Sequence, residues 1–163
     1  MKIAHYIGDH TGDSLMARAG WSLTRLVQKG PYGHITHVEA IHGEYSDGSV
    51  IIAGASLRDK GVRAKNVRLN PEHWMITDVP QWHVDLSVRH LERTKGSEYD
   101  WRGAVATAFI GSQNNSTWFC NEWVGFPYLK SAANFGPNTF AAVCFSFGKD
   151  VTTEFFNSRK EKA

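Results

Sequence analysis

Between His34 and Leu69 the chain offers three β-leaning runs, His34–His42, Ser49–Leu57 and Gly61–Leu69, whose joints are Ser46-Asp47-Gly48 and Arg58-Asp59-Lys60-Gly61. Joints this short and this rich in turn residues cannot carry a crossover, so neighbouring runs must pair antiparallel. Any fold of this chain is therefore built around a three-stranded meander. Lys2–Ile7 reads as a short strand before it. Trp74–Val79 reads as another after it, stopped by Pro80.

Helical spacing dominates elsewhere. From Asp13 to Gln28 the positions Leu15, Met16, Ala19, Leu23, Leu26 and Val27 predict a helix capped by Asp13 and ended by Lys29-Gly30-Pro31. Trp82–Thr94 is two-valued, since Val84, Leu86 and Val88 alternate while Val84, Val88 and Leu91 suit a helix; the Gly96 stop favours helix. Trp101, Val105, Ala108 and Phe109 form a second helical stripe. A third helix opens near Cys120, with a kink or an early end expected at Pro127. Pro137-Asn138-Thr139 starts a last element through Phe147 whose periodicity does not choose helix or strand. Strands followed by helices predict an α+β fold, a small antiparallel sheet packed against helices. With 163 residues, 42% of them apolar, the chain suits a single domain over 1–156. The remaining 157–163, NSRKEKA, reads as a charged, flexible tail.

Several classes of function fall away. Lys plus Arg, 18, nearly balance Asp plus Glu, 16, and a net charge of +2 gives no footprint for nucleic acid or a membrane surface. No long uncharged apolar run is available to span a bilayer. The opening MKIAHYIGDH has no secretory character, so a cytoplasmic location with reduced thiols is expected. HExxH, Walker, GxSxG and EF-hand patterns are absent, and no cofactor is expected.

Two cysteines against eight histidines remain as the chemical clue. Cys120 follows the polar Gln113-Asn114-Asn115-Ser116 and two aromatics, at a helix start, where backbone N–H groups and the macrodipole favour a nucleophilic thiolate. The competing reading is a small buried hydrophobe. Cys144, inside Ala141-Ala142-Val143-Cys144-Phe145, reads as packing. His37 is the best candidate base: alternation sets His37 and Glu39 on one strand face and Val38 and Ala40 on the other. His34, His37, Glu39 and His42 could also serve a metal, but in one continuous strand His34 and His42 point away from His37, so a metal site would need a bulge.

The order Thr36-His37-Val38-Glu39-Ala40-Ile41, Lys60-Gly61-Val62-Arg63, Tyr99-Asp100-Trp101 and Phe119-Cys120-Asn121-Glu122 resembles the circularly permuted branch of the NlpC-type, papain-like cysteine hydrolases, which includes lecithin retinol acyltransferase-like enzymes and small phage and bacterial proteins. The resemblance covers roughly His34 to Tyr128. Thr36 stands where the family usually has Ser, and Asn121 where Ser is common. It implies a permuted papain-like fold, with Cys120 as nucleophile, His37 as base and the Cys120 backbone N–H in an oxyanion hole. It also implies a polar residue on the next strand to orient the imidazole. There this chain departs, for the expected place holds Ile52, Ala53 or Gly54. Ser56 is the nearest polar side chain, and Glu39 on the His37 face is the other option.

The function expected is a cysteine hydrolase or acyltransferase acting on a peptide, a peptidoglycan amide or a lipid acyl group. Its rivals are a binding protein that kept the fold but lost the triad, and a metal-dependent hydrolase using His34, His37 and His42. Trp101, Trp118, Phe119, Trp123 and Phe126 flank the candidate nucleophile in sequence, either as an apolar groove or as the core of the helical half.

Overall fold

A computed structural model describes residues 1–8, 35–106, 117–129 and 136–160. The expected helix over Asp13–Gln28, His34, and the stripe positions Ala108 and Phe109 lie outside them. The meander forms as β2 (His37–Glu44), β3 (Val50–Ser56) and β4 (Gly61–Val67), with β1 (Lys2–Tyr6) before it and β5 (Trp74–Asp78) after it. Gly48, at φ +83°, turns the chain between β2 and β3, and Lys60, at φ 62°, between β3 and β4. Both joints use the left-handed region that tight turns demand.

The second half supplies α1 (Val84–Thr94), β6 (Glu98–Tyr99), α2 (Trp101–Ala106), β7 (Thr117–Trp118), α3 (Cys120–Leu129), α4 (Pro137–Phe147), β8 (Lys149–Asp150) and α5 (Thr152–Lys160). The eight strands form one curled sheet in the order β7-β6-β4-β3-β2-β1-β5-β8. Every pairing is antiparallel except β6 with β7. The molecule is thus mixed α+β, with five helices among the described residues. None of those helices is long and apolar enough to cross a membrane.

Strand alternation divides the apolar residues between two cores. Ile3, Val38, Ala40, Ala53, Ala55 and Val62 point to a layer containing Trp123 and Val124 of α3 and Phe140, Ala141 and Cys144 of α4. Ala4, Ile41, Val50, Ile52 and Ile76 point the other way, onto Val151, Phe155 and Phe156 at α5. Covering the sheet on both faces removes water from most of its apolar surface, which is the main stabilising contribution.

Three segments take definite form. Of the kink or early end expected at Pro127, the early end does not occur, for α3 runs through Pro127 to Leu129. Pro137 opens α4 at its first turn, where its missing N–H costs nothing, so the undecided segment is a helix. Residues 157–160 of the segment read as a tail belong to α5, which continues to Lys160. There Arg159 lies 3.4 Å over the Phe155 ring and pairs with Glu44 at 2.5 Å, which ties the helix down. Of the five flanking aromatics, Trp118, Phe119 and Trp123 are core residues, whereas Trp101 and Phe126 are exposed.

Candidate active site at the start of strand β2

Val38 and Ala40 belong to the helix-covered core, so their strand neighbours His37 and Glu39 belong to the opposite face. Glu39 is 1% exposed, a costly position for a carboxylate unless it is fully partnered. It is. Oε1 accepts from His37 Nε2 at 2.6 Å and from Arg63 Nη2 at 2.5 Å, and Oε2 accepts from Arg63 Nη1 at 2.6 Å. A two-pronged guanidinium contact holds the carboxylate in both position and orientation. Arg63 also donates to the Gly54 carbonyl at 3.1 Å and through Nε to Asp59 at 2.5 Å.

Register explains how residues on β2 and β4 meet across β3. Gly54 pairs with Arg63, and Ala53 with Ala40, which sets Gly54 beside Glu39. A Cβ at Gly54 would overlap the Glu39 carboxylate. Gly54, one of the three positions at which an orienting group was expected, therefore has no room for a side chain. The carboxylate of Glu39 fills its space.

The other side of the His37 ring faces α3. The Cys120 thiol lies close enough to the His37 imidazole to act on its charge. His37 is the first residue of β2 and Cys120 the first of α3, so the two converge where strand and helix both begin. Burial opposes charge on the imidazole, but Glu39 and Cys120 outweigh it and raise the His37 pKa to about 9. Burial likewise opposes charge on Glu39, and His37 with Arg63 outweighs it, so the carboxyl titrates below its ordinary range.

Tyr99 completes the group. The β6–β7 pair sets Tyr99 opposite Trp118, two residues before Cys120, and brings the phenol near the Cys120 sulfur. Burial, with Cys120 and Asp100 beside it, pushes the phenol well above its ordinary pKa, so it remains an O–H donor. The thiol also lies 3.6 Å from Asn121 Oδ1. Glu122 accepts from the Phe119 N–H at 3.5 Å, capping α3 from its third residue. Burial pushes Glu122 up to about 7 against that bond, with Asp100 adding to the rise.

The remaining candidates have structural uses. Ser56 is buried at the end of β3, and its hydroxyl accepts from the Asp59 N–H at 3.4 Å, within the β3–β4 turn. Cys144 is fully buried, and burial drives its thiol pKa far upward. His42 leaves the His37 face and bonds Ser87 of α1 at 2.7 Å. Among the described residues no group of three or more His, Cys, Asp or Glu side chains is arranged to hold a metal. Sequence reasoning missed the roles of Arg63 and Tyr99, although both lie in segments that carry the family resemblance. No family model, curated protein or solved structure matches the chain.

Proposed function

We propose that the protein is a cysteine hydrolase or acyltransferase of circularly permuted, papain-like design, in which Cys120, His37 and Glu39 form the triad. The observation that carries this reading is the His37 ring, held at Nε2 by a buried carboxylate and lying beside a helix-terminal thiol that acts on its charge. In the reaction His37 holds the thiol proton as imidazolium, and the Cys120 thiolate attacks an ester or amide carbonyl. The resulting oxyanion is met by the Tyr99 hydroxyl and the Cys120 backbone N–H, which has no intrahelical partner at the first position of α3. His37 then protonates the departing oxygen or nitrogen, the carbonyl–heteroatom bond breaks, and a thioester remains. Water activated by His37 releases the acid, or another acceptor takes the acyl group. Glu39 fixes the ring orientation, and Arg63 holds Glu39 ionised.

The triad-less binding protein drew its support from a missing partner for His37, and Glu39 supplies one. The observation that still favours it is burial, since Cys120 is only 2% exposed. Iodoacetamide labelling at neutral pH separates the two readings. A catalytic dyad gives Cys120 a rate at least tenfold above a free thiol, and His37→Ala abolishes the excess. An ordinary rate, unchanged by His37→Ala, ends the catalytic reading.

A further inference from the structure

Arg63 holds Glu39, and Arg63 must itself be held. An arginine side chain is long and rich in rotamers, and a planar guanidinium gripped at one end can still pivot about its partner. The guanidinium of Arg63 is engaged from two sides. Nη1 and Nη2 meet Glu39, and Nη1 also meets the Gly54 carbonyl. Nε, on the opposite edge of the fork, donates to Asp59 Oδ2 at 2.5 Å.

The β3–β4 turn puts Asp59 in that position. Gly54 pairs with Arg63 and Ile52 with Lys65, so both cations lie on one face of β4. With His37 and Glu39 they line a cleft of about 290 Å³ on the sheet face away from α3. Lys60, in the left-handed region, closes the turn with an N–H bond to the Leu57 carbonyl at 3.2 Å. The Asp59 N–H is held by the Ser56 hydroxyl at 3.4 Å. The Asp59 carboxylate then folds back onto Arg63, four residues on, and Oδ2 also accepts from Lys65 Nζ at 2.8 Å. Burial opposes charge on Asp59, but Lys65 and Arg63 outweigh it and hold its pKa down to about 2, so it stays an acceptor at neutral pH.

Asp59, Arg63, Glu39 and His37 thus form one line of short contacts, of 2.5, 2.5 and 2.6 Å. Exposure falls along it, from 25% at Asp59 through 17% at Arg63 to 1% at Glu39. Water screens the outer charge, so what Asp59 passes inward is chiefly position. We propose that Asp59 is a positioning residue for the proposed triad, anchoring the Arg63 guanidinium in the plane that presents Glu39 to His37. Its effect on rate rests on the Cys120–His37–Glu39 reading, whereas its effect on the His37 ring does not.

Two substitutions separate anchor from charge. Asp59→Ala removes both, while Asp59→Asn removes the charge and keeps an oxygen able to accept from Nε. Toward p-nitrophenyl hexanoate, Asp59→Ala should lower kcat about tenfold with KM little changed, the scale on which contacting members of one network couple. Asp59→Asn should keep most of that rate, and a loss equal to that of Asp59→Ala overturns the proposal. The His37 ring, titrated by NMR, should shift to lower pH in Asp59→Ala. A residue that only shapes the turn would lower the urea midpoint and leave kcat and the His37 titration unmoved, which also overturns it. In an Arg63→Lys background, which keeps a cation beside Glu39 but has no Nε–H, Asp59→Ala should cost less than about twofold. A full tenfold loss there would mean that Asp59 does not act through the guanidinium. Should Asp59→Ala fail to fold, Asp59→Ser, which suits the turn but is too short to reach Nε, takes its place. If no ester is cleaved and Cys120 labels at an ordinary rate, the catalytic reading falls and the His37 titration still decides: a downward shift supports the anchor, and none rejects it.

Discussion

On the cleft face of the sheet, His37 is buried against a carboxylate and its pKa rises to about 9. On the helix side, His5 and His90 are buried and His42 half-buried among hydroxyls and rings, and their pKa values fall to about 3 for His5 and about 4 for His90 and His42. His5 meets Thr77 at 2.9 Å and His42 meets Ser87 at 2.7 Å, while His90 packs between the Trp118 and Phe126 rings. Desolvation acts on all four in one direction, toward the neutral ring. Only a partner of opposite charge reverses it, and only His37 has Glu39 bonded to it. One residue type thus serves as packing in one layer and as a charged pair in the other. The difference accounts for histidines beyond the one that the proposed chemistry uses.

Glu39→Gln breaks this comparison most directly. It keeps the shape and removes the charge, so burial should prevail and carry the His37 pKa from about 9 to below 6.5. Activity toward p-nitrophenyl hexanoate should fall by about 10⁴-fold, the scale expected when a triad loses its orienting carboxylate. Titrating the His37 ring by NMR alongside the kinetics checks both. An unmoved His37 titration would mean that Glu39 does not set its charge.

Gly54→Ala sharpens the comparison by disturbing the carboxylate without changing any charge. Its methyl would occupy the space of the Glu39 carboxyl, so the pair must shift. A loss of about 1–3 kcal/mol in stability is expected, typical of overpacking, with a fall in activity of roughly tenfold. In a Glu39→Ala background the stability cost should vanish, because the collision partner is gone. Urea unfolding of the four chains measures this, and an equal cost in both backgrounds would exclude the collision as its cause.

The dependence on Gly54 also shows where sequence reading stopped. The meander was legible because its turns and alternation are local signals, and alternation alone placed His37 and Glu39 on one face. That Arg63 would grip Glu39 depends on the registers of two strand pairs, with an irregularity between Ile41 and Gly43 in the first of them. No spacing within a single strand reports that. The stretch Ile52, Ala53 or Gly54 looked like a missing orienting partner because a glycine in a strand gives no sign of which side chain fills its place. Tyr99 is hidden for a similar reason, since it reaches Cys120 through a parallel pairing of two-residue strands. The edge strand β8 is equally short and carries no periodicity to read.

The smallest expected effect is on how stability depends on pH, and its sign differs between the two regions. The His37 pKa is raised, so its contribution is fully present below 6.5 and is lost as pH rises through about 9. The His5, His42 and His90 values are depressed, so the unfolded chain takes up protons first as pH falls below 6.5. Their contribution drains away from there down to about 4 for His42 and His90, and to about 3 for His5. Glu39, whose carboxyl is depressed, adds to the acid limb: its contribution is present above its ordinary pKa and lost as pH falls through the lower folded value. His90→Phe isolates one member of this set. Nε2 of His90 is buried and has no hydrogen-bond partner among the described residues, so a phenyl ring sacrifices no bond there and keeps the contacts with Trp118 and Phe126. The urea midpoint at pH 7 should stay the same or rise, and its decline between pH 6.5 and 4 should become shallower. The alkaline limb, which belongs to His37, should not move. A change confined to the alkaline side would mean that the two regions are coupled and that the contrast between them has been drawn in the wrong place.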